Sequence, residues 1–249
     1  MPWRSFRLNL RAVLVADGVF VVTLVLAFLL PRLMLPYWDA LASKFFLGWI
    51  AVLFLLTAVA SVLWVVRSDC FAVAFFGYAV LVDSAAIVLL MIGLSTRFLG
   101  WGDVLRLYSL LVTWVAVWAA LAYLLRRRPP IAAMVAMMLV AIFFASPIAG
   151  LPLVRAASRC SPSCRENTLQ FVAYATPVLP AFDAVKGSLP AGQWPEWTMM
   201  YRMSNMSQEL GLRARWYWAV VGYAGVAIAV LAGRALAYRL AAKQSIVLE

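Results

Sequence analysis

The sequence contains no histidine and only three cysteines in 249 residues. Without histidine the chain has no imidazole to offer haem or copper, no Ser-His-Asp triad, no HExxH zinc site and no histidine proton relay. There is no GxxxxGK[ST] phosphate loop either, so the chain does not hydrolyse ATP by that route. Charge is scarce: 12% of residues are charged, against roughly a quarter in ordinary soluble domains, and acids number 10 against 21 Lys and Arg. These absences leave no self-contained catalytic unit, and the chain is read as a non-enzyme without a resident cofactor.

What is present is hydrophobicity. At 66% apolar and a mean hydropathy of +0.93 the chain reads as a polytopic membrane protein forming one integral domain over residues 1–249. Six apolar stretches, at about 12–31, 45–66, 71–94, 105–125, 131–151 and 216–238, approach the twenty or so residues a helix needs to cross a hydrocarbon core. They are continuously apolar, with no period-two alternation, which points to an all-α bundle of about six transmembrane helices and excludes a barrel. Arg4, Arg7, Arg11, Arg67, Arg126 to Arg128, Arg239 and Lys243 fall on one side of that layout. The positive-inside tendency makes that side cytoplasmic, with both termini in the cytoplasm of a cell whose inner (plasma) membrane holds the chain. The net charge of +11 comes without an aromatic and basic binding surface, so anionic lipid headgroups, and not nucleic acid, are the expected partner.

The opening "PWRSFRLNLR" sets Trp3, Phe6 and Leu10 on one helical face and its arginines on the next, the pattern of an interfacial helix over residues 1–11; it also serves as a simple positive flank. Residues 152–215 differ in kind. "LQFVAYATPVLPAFDAV" is half a span long and broken by Pro177 and Pro180, the signature of a re-entrant or interfacial piece that must pack on protein to satisfy its freed backbone groups. This segment is read as external, between the fifth and sixth spans. Within it "RCSPSCRE" places Cys160 and Cys164 four apart with no third ligand nearby, which disfavours a metal site. A local disulfide in an oxidising compartment is the economical reading, with a dithiol centre or two free thiols as alternatives. Asp83 sits near the middle of the third span, where a charge is costly; it is a candidate for a transport path, a proton step or an interhelical contact, with Arg97 and Arg106 as possible partners. Gly222, Gly225 and Gly233 give the last span a face on which a helix of the same bundle or of a second copy can approach closely.

Taken together, the lead-in "PWRSFRLNLR", the broken piece "YATPVLPAFDAVKG" and the final span "WYWAVVGYAGVAIAVLAGRALAYRL" running into a basic tail resemble, in layout, the permease subunits of type-2 ABC exporters. The resemblance implies a permease that dimerises, as a homodimer or with a related permease, and moves substrate when a separate ATP-hydrolysing subunit acts. It implies an external gate at Pro177, Pro180 and Asp183. Those permeases carry a longer cytoplasmic stretch between spans two and three, and only "VVRSDCFAV" stands here. Either the ATPase contact is abbreviated around Arg67 and Asp69, or no ATPase couples. The rival reading is a non-catalytic membrane anchor or assembly subunit of a larger complex.

Overall fold

A computed structural model describes residues 38–96, 99–126, 129–144, 161–185 and 215–247, with scattered positions at 14, 15, 17, 18, 21, 22, 26, 156, 159 and 188. Seven helices make up the described residues, which contain no strand. They are α1 (Trp38–Arg67), α2 (Phe71–Thr96), α3 (Trp101–Leu125), α4 (Pro129–Phe144), α5 (Pro162–Ala175), α6 (Val178–Val185) and α7 (Trp216–Val247).

Four of them contain stretches long and apolar enough to cross a membrane: Gly48–Arg67, Phe71–Met91, Trp101–Leu125 and Trp216–Ala237. These coincide with four of the six expected spans. The fifth expected span overlaps α4, of which 16 residues, Pro129–Phe144, are described; the rest of that span, 145–151, lies outside the described residues. The first expected span and the interfacial helix at 1–11 lie outside the described residues, apart from scattered positions between 14 and 26.

Connections of three residues force neighbours to run antiparallel. Ser68–Cys70 joins α1 to α2, and residues 126–128 join α3 to α4, where Pro129 and Pro130 open the new helix at positions whose amides have no helical acceptor. The turns 68–70 and 126–128 therefore lie at one end of the bundle, and Arg126 donating to the carbonyl of Asp69 at 3.4 Å ties them together. We call this the basic end. α3 is the central helix, packed against α1, α2, α4, α6 and α7. Its Leu107, Leu110, Leu111, Trp114, Val115 and Trp118 are buried and form the middle of the core.

Lipid tails are as apolar as leucine, so close fit and internal hydrogen bonds, more than expulsion from water, hold such helices together. Both devices are visible. Trp114 meets Trp118 and Tyr223 edge-to-face at centroid distances of 5.0 and 5.3 Å, joining α3 to α7. Thr57, Ser68 and Thr113 turn their hydroxyls back to the carbonyls of Leu53, Trp64 and Ser109, so these three hydroxyl protons are not left facing hydrocarbon. Gly77 on α2 lies beneath the indole of Trp64 on α1, whose Nε1–H donates to the carbonyl of Val73 at 3.1 Å. A Cβ on residue 77 would overlap that ring.

Gly77→Ala should therefore displace Trp64 and break its hydrogen bond, destabilising the α1–α2 hairpin by about 1–3 kcal/mol. A lowered thermal midpoint in detergent with a shifted tryptophan emission is the expected result. Gly102→Ala, where the added Cβ meets open space, should leave both unchanged.

Candidate functional site

The end opposite the basic one carries the densest polar arrangement among the described residues. It begins with a helix start. Gly100 precedes α3 with extended backbone, and Asp103, three residues on, folds its carboxylate back to accept from the Gly100 amide at 3.1 Å. An acid at this position also faces the positive end of the helix dipole. Asp103 is nearly buried, at 6% exposure, and has two further contacts, one a turn along α3 and one far off in sequence. Its Oδ1 accepts from Arg106 at 3.2 Å and its Oδ2 from the hydroxyl of Ser188, just past α6. Arg106 in turn donates to the carbonyl of Ala184, near the end of α6, at 3.2 Å and lies 5.8 Å from the ring centroid of Trp216 at the start of α7. One acid and one guanidinium thus join the beginnings of α3 and α7 to the end of α6.

A second acid repeats the device. Asp183, on α6, is 8% exposed; its Oδ2 accepts from the Trp216 amide at 3.1 Å, which satisfies an orphan donor at the N-terminus of α7. Its Oδ1 stands 3.7 Å from the guanidinium of Arg215, whose own amide donates to the hydroxyl of Tyr174 on α5 at 3.1 Å. Asp183 is thus a carboxylate cap supplied by a neighbouring element, with the ion pair to the half-exposed Arg215 as a minor addition.

Pro177 and Pro180 act through the backbone. Thr176, before the first proline, is extended at φ −94°, ψ 143°, as a pre-proline residue must be, so α5 stops and α6 restarts from the carbonyl of Pro177. The break frees the carbonyls of Tyr174 and Thr176, and the hydroxyl of Tyr223 on α7 lies 2.7 and 3.1 Å from them. Pro177, Pro180 and Asp183 are all buried. The expectation that this broken piece packs on protein where its backbone can be satisfied matches the observed packing of α6 on α1, α3 and α7.

Asp83 lies elsewhere. It is the thirteenth residue of the 26 in α2 and is exposed on the outside of the bundle, where its Oδ1 accepts from the hydroxyl of Tyr108 on α3 at 3.0 Å. Arg106, considered as its partner, is committed to Asp103; Arg97 lies outside the described residues. Arg67 and Asp69 are exposed at the basic end, a helix length from the Asp103 network.

The disulfide expected between Cys160 and Cys164 is not seen. Cys164 is a free cysteine in the first turn of α5, where its amide donates to the cap Ser161 at 3.1 Å and its side chain lines a shallow surface hollow with Asn167 and Phe171. Ser161 is extended, φ −161°, ψ 159°; Cys160 itself lies outside the described residues. The described residues contain no group of three or more Cys, Asp or Glu that could hold a metal.

Asp103, Tyr108, Tyr174 and Tyr223 were missed by sequence reasoning. Only Asp103 had a local signal: an acid three residues after a glycine at the start of an apolar run. The tyrosines are one-hydroxyl interruptions of spans, and nothing local says what each hydroxyl meets.

Asp103→Ala removes the acceptor of three donors, one of them a cation, and should cost more stability than Asp183→Ala, which uncaps one helix, by about 1–3 kcal/mol. Asp183→Asn keeps an oxygen for the Trp216 amide and should lose less than Asp183→Ala. Thermal midpoints of the three variants in one detergent check the order.

Comparison of the chain with family models, with curated protein sequences and with solved structures finds no match.

Proposed function

We propose that the chain is the transmembrane permease subunit of an ABC-type transporter, moving substrate across an inner (plasma) membrane together with a separate ATP-hydrolysing subunit. Asp83 is the observation that carries this reading. A carboxylate halfway along an apolar helix, on the outer face of the bundle and held by one tyrosine hydroxyl, is expensive against lipid and is accommodated where a second protein surface or a polar path covers it. The path then runs along this outer face between two copies or between this chain and a related permease. The packing of α7 agrees with a two-bundle arrangement: only 17% of its apolar stretch is buried, against 50% in each of the other three spans. Gly222 and Gly225 are exposed on it with nothing within 4 Å of where a Cβ would stand, so among the described residues their smallness is not used. The segment around Pro177, Pro180 and Asp183 is the external gate, and Arg67 with Asp69 forms the ATPase contact.

A second reading, a non-catalytic anchor or assembly subunit of a larger membrane complex, is favoured by the connection between α1 and α2. Ser68 to Cys70 is too short for a separate docking helix, and the same exposed faces suit permanent neighbours.

Recovery of the tagged chain in mild detergent and mass-spectrometric identification of its partners distinguishes the two. The expected partner is an ATPase with a phosphate loop, retained by Asp83→Asn and reduced at least about tenfold by Arg67→Glu, a loss of some 1.4 kcal/mol. Recovery of redox or assembly subunits alone removes the permease reading.

A further inference from the structure

α2 and α7 both pack on α3 and leave a groove between them with α3 as its floor. In the half nearer the basic end the groove holds a cavity of about 160 Å³, lined by apolar side chains and tyrosine rings. Phe71, Phe75 and Tyr78 form its α2 wall, Ala116 and Ala120 lie on its floor, and Ala227 stands on its α7 wall. Phe71 and Phe75 are 51% and 59% exposed, so this wall stands at the outside of the bundle. The hydroxyl of Tyr78, which would otherwise spoil an apolar slot, donates to the carbonyl of Val112 at 2.7 Å. Alanines between aromatic walls leave room for a hydrocarbon chain but not for a helix, which with its side chains is about 10 Å across. From Phe71 to Tyr78 the slot climbs about 10 Å, at 1.5 Å per residue.

Asp83 stands five residues beyond Tyr78 on the same helix, about 8 Å further from the basic end. Tyr108 links the two places: it reaches from α3 to donate to Asp83 Oδ1 at 3.0 Å, and the hydroxyls of Tyr78 and Tyr108 lie within electrostatic range of each other and of the carboxylate. Asp83 is exposed, makes no ion pair among the described residues, and has that one hydroxyl to serve two oxygens. Arg106, two residues before Tyr108, is held by Asp103 and by the carbonyl of Ala184. The acid's counter-charge therefore has to be brought to it.

We propose that the groove binds a single-chain amphiphile with a cationic amine head, the hydrocarbon tail lying in the slot toward the basic end and the ammonium resting against Asp83. The complementarity is in charge and in shape together: a carboxylate at membrane depth with no cation of its own, about 8 Å from an apolar slot one chain wide. An ammonium has three N–H donors, and the second oxygen of Asp83 and the lone pairs of the Tyr108 hydroxyl are acceptors for them. A lysine on a neighbouring helix would supply the charge but leave the slot unfilled. Naming this amphiphile as the transported substrate rests on the permease reading; its binding does not.

Photolabelling of the full chain in phosphatidylcholine nanodiscs tests this, with dodecylamine carrying a diazirine at its tail end as the probe. Dodecylamine, dodecanol and dodecanoate compete against it, so the tail is held constant and the head alone varies. The expected result is labelling of the slot residues on α2, α3 and α7, suppressed by dodecylamine at a concentration at least about tenfold below that needed with the alcohol or the acid. Asp83→Asn should abolish that tenfold advantage and leave competition by dodecanol unchanged. Ala116→Phe, which fills the floor of the slot, should weaken labelling whatever the competitor. Equal competition by the amine and the alcohol in the unaltered chain overturns the proposal, and that comparison stands even if a variant fails to fold. An amine advantage that survives Asp83→Asn overturns it too, and labelling undiminished by Ala116→Phe removes the slot. Recovery of the ATPase without an amine advantage sinks the amine site and spares the permease reading; an amine advantage without an ATPase supports the site and sinks that reading.

Discussion

Within the bundle the hydroxyl of Tyr223 lies close to two carbonyls that no helix can use, those of Tyr174 and Thr176. Pro177 ends α5 there, and a backbone acceptor buried away from water needs a partner, at a cost of about a lost hydrogen bond or more if it has none. The Tyr223 hydroxyl meets that need from α7 and ties the broken piece to it, while α6 packs also on α1 and α3. Once α6 is placed, its Asp183 reaches the Trp216 amide and its terminal carbonyl at Ala184 reaches Arg106.

The network at that end is a chain of caps more than a set of ion pairs. Asp103 caps α3 from within, Asp183 caps α7 from outside, and Arg106 bridges the first cap to the end of α6. Helix ends are where backbone donors and acceptors run out, and in a membrane protein they are also where water becomes scarce. Using the same two carboxylates to end helices and to join them solves both problems. The arrangement is rigid in design: almost every polar atom named there has a partner on a different element.

At the other end the chemistry is inverted. Cations outnumber acids, aromatic rings take the place of carboxylates, and an apolar groove runs inward from them. The two ends thus differ in chemistry: carboxylate caps at one, cations stacked on an aromatic ring at the other. Between them α3 carries the buried middle of the core, while α2 and α7 present outward the features that seek company, Asp83 on one and Gly222 and Gly225 on the other.

Hydropathy by itself pointed to a helical chain, to apolar stretches at about 45–66, 71–94, 105–125 and 216–238 that overlap the four helices long enough to cross a membrane, and to a proline-broken half-helix before the last of them. These properties are local sums over consecutive residues, and a sum survives without knowing the neighbours. Partnerships were another matter. Asp83 meets Tyr108 and not an arginine, Arg106 serves Asp103, Asp183 caps a helix 33 positions away, and Gly77 makes room for Trp64. Each of these depends on the rotation of one helix about its axis relative to another, and a helix of nearly uniform hydrophobicity carries no periodic stripe to announce that rotation. Only tertiary packing, through the few hydroxyls, carboxylates and small residues that can meet in one arrangement and no other, decided it.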